Sequence, residues 1–88
     1  MSKVVVIGSG TMGVGIAASF LAYGAKTILL GRDPHKVELN LTKVEICADT
    51  INPRWRESGA QLFSGDFADW SDWHDTNLII ETISERLD

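Results

Sequence analysis

The sequence has a single cysteine, Cys47, which excludes an internal disulfide and a multi-cysteine zinc site. Basic residues are also few, with 8 Lys and Arg against 12 Asp and Glu. This net charge of −4 argues against a nucleic-acid or anionic-membrane surface, because both require a basic patch. The two histidines, His35 and His74, are too few and too far apart to indicate a metal site, and the apolar run from Val4 to Ile7 is too short for a signal peptide or a membrane span. We therefore expect a cytoplasmic protein without a metal, nucleic-acid or membrane partner.

A chain of 88 residues has room for one compact domain at most. Hydrophobic residues make up 44% and charged residues 23%, which is ordinary for a chain that folds. We interpret Cys47 as a small buried hydrophobe, and the three tryptophans as packing residues or a partner-facing patch. His74 is expected in a surface turn, away from any catalytic role.

Apolar periodicity in the first third of the chain predicts a strand, a helix and a second strand. Lys3 to Ile7 and Lys26 to Leu30 are runs typical of strands buried in a parallel sheet. Between them, apolar residues from Met12 to Tyr23 recur at helical spacing, and Gly24 is placed to end the helix. This order predicts a right-handed βαβ unit with parallel strands.

The rest of the chain continues the alternation of strands and helices with weaker signals. Asp33 and Pro34 predict a helix start, because Asp caps free amides and Pro suits the first position. An apolar stripe predicts the helix face that packs on the sheet: Val37, Leu41, Val44, Ala48 and Ile51. Pro53 ends this helix. Further on, the sequence predicts in order a polar loop at Arg54–Gly59, a short strand at Ala60–Phe63, a helical turn at Asp66–Trp70, a last strand at Thr76–Glu81 and the start of a helix at Ser84–Leu87.

The predicted fold class is α/β, a Rossmann-like parallel sheet with flanking helices. A complete dinucleotide-binding fold has six strands, and about four are predicted here, so we expect the fold to be incomplete. An incomplete sheet leaves an exposed edge, which favours association, and we expect a homo-oligomer.

The turn after the first strand has the sequence Gly8-Ser9-Gly10-Thr11-Met12-Gly13. A GxGxxG pattern that follows a buried strand and opens a helix indicates a dinucleotide-binding turn. Gly8 would allow the tight turn, Gly10 would let the backbone approach a pyrophosphate, and Gly13 would let the helix lie close to the strand. We predict that all six residues of this turn bind the cofactor. The alternative is a glycine-rich turn needed only for packing.

The end of the second strand lacks the acidic residue that usually holds the adenosine ribose about 20 residues after the turn. Gly31 stands there, followed by Arg32 and Asp33. Loss of the carboxylate removes repulsion toward a 2′-phosphate, and a guanidinium can pair with that phosphate, which favours NADP. Alternatively, Asp33 reaches back to the ribose of NAD. We include all three among the cofactor-binding residues.

Two segments carry a family resemblance: residues 4–17, VVVIGSGTMGVGIA, and residues 76–88, TNLIIETISERLD. The first is similar to the strand, GxGxMGxGIA turn and helix that open the L-3-hydroxyacyl-CoA dehydrogenases, and the second to that family's stretch of the form ADLVIEAVPENLDLK. The resemblance implies that Glu81 lines the cofactor crevice and that Ile83 lies over the nicotinamide ribose. It also implies NAD as cofactor and places the family's catalytic residues beyond this chain, so none is assigned here.

The resemblance also implies a substrate class. The family's helical hairpin between the second and third strands, which helps to hold CoA, is shortened here to residues 36–59. An acyl thioester of CoA or of a carrier protein is therefore expected as the substrate of the complete enzyme, with a different hydroxy acid also open.

The leading hypothesis is that residues 1–88 are the amino-terminal part of a dinucleotide-binding domain, with a helical substrate and dimerisation domain absent from this chain. The complete enzyme would interconvert a 3-hydroxyacyl and a 3-oxoacyl thioester by hydride transfer. One alternative is a β-hydroxyacid dehydrogenase, which also uses a GxGxMG turn. Another is a non-catalytic NAD(P)-sensing domain.

Overall fold

A computed structural model describes residues 2–8 and 10–82, which form a four-stranded sheet with two helices on one face. All strand pairs are parallel, and the strand order is β3-β2-β1-β4. This confirms the predicted Rossmann-like α/β fold. The elements in chain order are β1 (Lys3–Ile7), α1 (Thr11–Ala22), β2 (Lys26–Gly31), α2 (Pro34–Ile51), a 3-10 helix (Trp55–Ser58), β3 (Gln61–Asp66) and β4 (Leu78–Glu81).

The two central strands are buried on both faces of the sheet, as their apolar runs predict. On the face toward the helices, Val4 and Val6 pack with Leu21 of α1 and Val44 of α2. The opposite face has a second, smaller apolar cluster, formed by Val5, Ile7, Ile28 and Leu30, with Trp70 and Trp73 packed against it. The connection between β3 and β4 therefore covers the face that the two helices leave open.

Helix α1 packs closely because its buried side is made mainly of small residues, among them Ala17 and Ala18. Gly24 follows its end with φ +95°, a left-handed conformation that glycine adopts readily, as predicted for the helix end. The predicted apolar spacing is wrong at its two ends. Met12, in the first turn of α1, is 70% exposed, and Tyr23, which follows the last residue of the helix, is 84% exposed.

Helix α2 begins as predicted, with the Asp33 carboxylate accepting hydrogen bonds from the backbone N–H groups of His35 and Lys36. Three of the five predicted stripe residues, Val37, Val44 and Ala48, are buried, and Leu41 is partly buried. Ile51 is 46% exposed, against the prediction. The chain turns away at Asn52, whose side-chain amide donates to the Ala22 carbonyl, and Trp55 fills the core there instead.

The predicted polar loop at Arg54–Gly59 instead contains the 3-10 helix, because Trp55 is buried. The Trp55 indole N–H donates to Asp49 Oδ1 at 2.8 Å, and the Arg56 guanidinium lies over the ring and bonds to the same carboxylate at 2.7 Å. The hydrogen bond from Trp55 and then that from Arg56 lower the pKa of Asp49 from its ordinary value. One aromatic side chain therefore orders a segment whose composition is that of a loop.

Strand β3 runs from Gln61 to Asp66, later than the predicted Ala60–Phe63. Its last two residues continue the ladder opposite Leu30 and Gly31 of β2. The predicted helical turn at Asp66–Trp70 is instead a tight turn, in which Asp66 accepts N–H groups from Ala68 and Asp69. A side chain at Gly65 would overlap the Trp70 ring, so the small residue permits this turn to fold back on the sheet.

The last strand begins at Leu78 rather than at Thr76. Before it, Asn77 makes two hydrogen bonds with the backbone of Lys3, one through its side chain. The buried Lys3 ammonium donates to the carbonyls of Asp72 and His74 and pairs with the Asp72 carboxylate, which lowers the pKa of that carboxyl. This lysine fixes the connection at the amino-terminal end of the sheet, where His74 lies in an exposed turn as predicted. The helix predicted at Ser84–Leu87 lies outside the described residues.

Candidate cofactor site

The strand order locates the candidate site between β1 and β4. The chain moves outward from β1 to β2 and β3 and then returns to β4 on the other side of β1. In parallel sheets, ligands bind at the carboxyl ends of the strands where the order reverses in this way. The carboxyl ends of β1 and β4 are Ile7 and Glu81, which are paired in the sheet.

Gly8 makes the tight turn that leads out of β1. Its φ is +113°, a value that residues with side chains rarely adopt. Its N–H group donates to the carbonyl of Leu30 at 2.8 Å, which ties the turn to β2. A Cβ atom here would also overlap the side chain and backbone of Thr82.

Gly13 lies in the first turn of α1, directly against the same turn. A Cβ atom on Gly13 would overlap the carbonyl oxygen of Gly8. The helix therefore approaches the end of β1 as closely as backbone atoms allow. This is the geometry predicted for the third glycine of the pattern.

Gly10 differs from the other two glycines, because a Cβ atom there would meet no atom of the described residues within 4 Å. It is the N-cap residue of α1, and no side chain among the described residues caps the helix or adds an acid to its first turn. The first N–H groups of a helix have no partner within it, and they carry a partial positive charge. The open space at Gly10 beside these groups fits a pyrophosphate.

Of the other three residues of the turn, two are exposed and one lies outside the described residues. Thr11 and Met12 are exposed at the start of α1, next to the open space. Ser9 lies outside the described residues. The structure thus places five of the six predicted turn residues at one end of β1.

The candidate ribose side lies at the end of β2. Gly31 is buried as the last residue of this strand, and Arg32 after it is exposed. The Asp33 carboxylate accepts two N–H groups of α2 through one oxygen, so its capping role is established by the geometry. The position at which other dinucleotide-binding folds have an acidic residue for the ribose is therefore a glycine, without a side chain.

Two residues at this edge of the sheet were not predicted as site residues. Asp66 ends β3 directly opposite Gly31, so a carboxylate flanks the candidate ribose position. A prediction that ended β3 at Asp66 rather than at Phe63 would have identified this residue. Thr82 follows β4 and donates both its N–H and its hydroxyl to the end of β1, and no periodicity in the sequence indicates this contact.

The predicted nicotinamide side is described only in part. Glu81 ends β4 as an exposed residue at the carboxyl edge, as the resemblance implies. Ile83 lies outside the described residues. Within the parts of the chain that the structure describes, no three His, Cys, Asp or Glu side chains are grouped so as to hold a metal ion.

A groove of about 560 Å³ lies between α1 and α2, beside the amino terminus of α1. Its lining residues are Gly10, Thr11, Val14, Gly15, Asn40, Lys43, Ile46 and Cys47. Cys47 is therefore half-buried and not fully buried as predicted, because one side of it packs on the core and the other lines this groove. No helix within the described ranges is long and apolar enough to cross a membrane.

Comparison with known structures gives dehydrogenases as neighbours. The (S)-3-hydroxybutyryl-CoA dehydrogenase PaaH1 from Ralstonia eutropha matches with a TM-score of 0.74 and 21% identity, over 99% of this chain and 32% of that chain. The dehydrogenase part of multifunctional enzyme 1 from C. elegans matches with a TM-score of 0.66 and 28% identity, over 97% of this chain and 20% of that chain. A short-chain type dehydrogenase/reductase from Mycobacterium ulcerans matches with a TM-score of 0.56 and 23% identity, over 74% of this chain and 21% of that chain.

These likenesses support the fold, and this chain spans about a third of the first relative and a fifth of the second. A comparison with curated protein sequences gave no match. A family comparison matches residues 3–88 to the 3-hydroxyacyl-CoA dehydrogenase NAD binding domain. Because this match takes in nearly the whole chain, the protein belongs to the family of 3-hydroxyacyl-CoA dehydrogenase NAD-binding domains.

Proposed function

We propose that this chain binds a nicotinamide dinucleotide as the cofactor-binding part of an oxidoreductase that interconverts 3-hydroxyacyl and 3-oxoacyl thioesters. The observation that carries the proposal is the space at Gly10, which no atom of the described residues fills. It lies beside the start of α1, where none of those residues supplies a side-chain cap, and at the point where the strand order reverses. A bound nicotinamide supplies the hydride chemistry. The residues of this chain bind the cofactor and orient it.

Each part of the site has its own role in this proposal. The turn of Gly8, Ser9, Gly10, Thr11, Met12 and Gly13 holds the pyrophosphate through backbone N–H groups. Glu81 and Ile83 line the nicotinamide side at the end of β4. Gly31 and Arg32 form the adenosine side at the end of β2, and Asp33 caps the start of α2 beside them.

In this proposal a second, helical domain supplies the catalytic residues and holds the acyl thioester, of CoA or of a carrier protein. The family match over residues 3–88 supports residues 1–88 as the dinucleotide-binding part in this division. Leu78 and Ile79 of β4 are 43% and 50% exposed, which supports further association at this edge, in a homo-oligomer or with the rest of the fold. The single cysteine supports a cytoplasmic location.

We further propose that the site favours NADP over NAD. Gly31 offers no carboxylate to bind a ribose 2′-hydroxyl or to repel a 2′-phosphate, and the exposed Arg32 guanidinium follows it directly. The nearest acid in sequence, Asp33, already caps α2. Asp66 on the neighbouring strand directs one carboxylate oxygen to the Ala68 N–H of its own turn, and Arg32 supplies the opposite charge at this edge.

Calorimetric titration with NADH and NADPH tests cofactor binding and its selectivity. We expect NADPH to bind about tenfold more tightly, and Arg32→Ala to remove this difference by weakening NADPH alone. Arg54→Ala is the matched control, since it removes an equal charge from an exposed pair with Glu57 away from the sheet edge. Binding of neither nucleotide would contradict the proposed function, and equal binding of both would contradict the NADP preference.

The proposed reaction is tested on the complete enzyme of this proposal, by following NADPH or NADH oxidation with a 3-oxoacyl thioester. CoA and carrier-protein thioesters of the same acyl chain distinguish the two substrate classes. Turnover of either one supports the oxidoreductase. Tight cofactor binding without turnover would instead favour the non-catalytic sensing role.

A further inference from the structure

We propose that Thr82 is a positioning residue for the pyrophosphate-binding turn, an inference that rests on the proposed cofactor binding. Thr82 follows β4 directly and contacts the end of β1. Its hydroxyl lies at hydrogen-bond distance from two carbonyl oxygens, 3.1 Å from that of Ile7 and 3.3 Å from that of Gly8. Its N–H group donates to the same Ile7 carbonyl at 2.8 Å.

The side chain of Thr82 also packs against two of the three glycines of the turn. A Cβ atom on Gly8 would overlap the Thr82 hydroxyl, and one on Gly13 would lie 3.0 Å from it. The hydroxyl therefore fills the space that the absent side chains leave between the turn, the helix and β4. It is half-buried there, at the candidate site's edge.

The turn is held from both neighbouring strands. On the β2 side, the Gly8 N–H donates to Leu30, and on the β4 side, Thr82 donates to the carbonyls of Ile7 and Gly8. Hydrogen bonds from Thr82 hold these two carbonyls and oppose their rotation toward an incoming phosphate, which they would repel. The N–H groups of the turn are then fixed in place before the ligand arrives, which lowers the ordering cost of binding.

This arrangement predicts an effect of Thr82 on phosphate binding in particular. Thr82→Val keeps the shape of the side chain and removes the hydroxyl, while Thr82→Ser keeps the hydroxyl. We expect Thr82→Val to weaken ADP-ribose binding by about threefold to tenfold, and Thr82→Ser to stay within about twofold of the unsubstituted chain. Adenosine, which has no phosphate, should bind both variants equally.

Thr27→Val is the matched control for a purely structural effect. The Thr27 hydroxyl is buried and bonds to the carbonyl of Ala25, at the other end of β2 from the turn. This substitution also replaces one threonine hydroxyl that bonds to a backbone carbonyl. Thermal unfolding of each variant shows how far the loss of each hydroxyl affects folding. We expect only Thr82→Val to lose ADP-ribose affinity.

The experiment is a titration of the full chain and the three variants with ADP-ribose and with adenosine, followed by NMR. Failure of the unsubstituted chain to bind ADP-ribose would overturn the proposed function itself. Normal ADP-ribose binding by Thr82→Val would overturn only the role of Thr82. An equal loss in Thr27→Val, a loss that Thr82→Ser does not restore, or an equal loss of adenosine binding would also overturn that role.

Discussion

The carbonyl oxygen of Gly8 occupies the place that a Cβ atom on Gly13 would need. This contact sets the distance between the start of α1 and the end of β1. Because both groups are backbone, neither can move away by a side-chain rotation. The position of the helix amino terminus over the sheet edge therefore depends on the absence of one methyl group.

Gly13→Ala is expected to destabilise the fold by about 1–3 kcal/mol, because the helix must shift to relieve the overlap. Gly15→Ala is the control in the same helix. A Cβ atom there meets no other part of residues 2–8 and 10–82 within 4 Å, so alanine should raise stability by about 0.5–1 kcal/mol. Urea unfolding measures both, and similar effects of the two substitutions would show that the contact does not exist in solution.

Asp33→Ala is expected to cost about 1 kcal/mol of stability, since it removes the side chain that caps α2. Asp33→Asn keeps an oxygen for the cap and should cost much less. Because the carboxylate is assigned to the cap, Asp33→Asn should also leave NADH affinity unchanged in calorimetry. A clear loss of NADH affinity in this variant would show that Asp33 holds the ribose after all.

Stability should fall at low pH partly through Asp49. Hydrogen bonds from Trp55 and Arg56 hold the folded-state pKa of this carboxyl below its ordinary value of 3.8. The folded state therefore binds this proton less readily than the unfolded state, so the contribution of Asp49 is present above pH 3.8 and is lost as the pH falls through the lower folded-state value.

Asp49→Asn should therefore flatten the fall of the unfolding free energy as the pH drops through 3.8 and below. Urea denaturation at a series of pH values measures this slope. Asp69→Asn, at an exposed position elsewhere on the surface, is the control for the loss of one negative charge. An unchanged slope in Asp49→Asn would mean that the Trp55 and Arg56 bonds do not form in solution.

Local signals were sufficient to predict the first half of the fold. Unbroken apolar runs fix β1 and β2, the Gly24 position ends α1, and Asp33 with Pro34 starts α2. Each of these signals acts within a few residues. The glycine turn was also predicted from local signals, because the strand before it and the helix after it identify the pattern as a dinucleotide-binding turn.

Predictions that depended on distant contacts were less accurate. Trp55 is buried because the end of α2 leaves room for it, and no pattern around residue 55 shows that room. The end of β3 is fixed by pairing with Gly31 and by the Trp70 ring over Gly65. Thr82 contacts a turn that precedes it by more than 70 residues, so only the folded chain reveals it.

The most direct test of the account is the effect of Gly10→Ser on cofactor binding and on stability. Gly10 has φ −74°, which any residue adopts, and a Cβ atom there would meet no atom of the described residues outside its chain neighbours within 4 Å. Serine is a good N-cap residue, so the unfolding free energy should be equal or higher. The added side chain would occupy phosphate space and compete for the N–H groups of the helix, so NADPH affinity should fall by at least about tenfold. Undiminished NADPH affinity in a folded Gly10→Ser variant would contradict the account, because the pyrophosphate would then lie elsewhere.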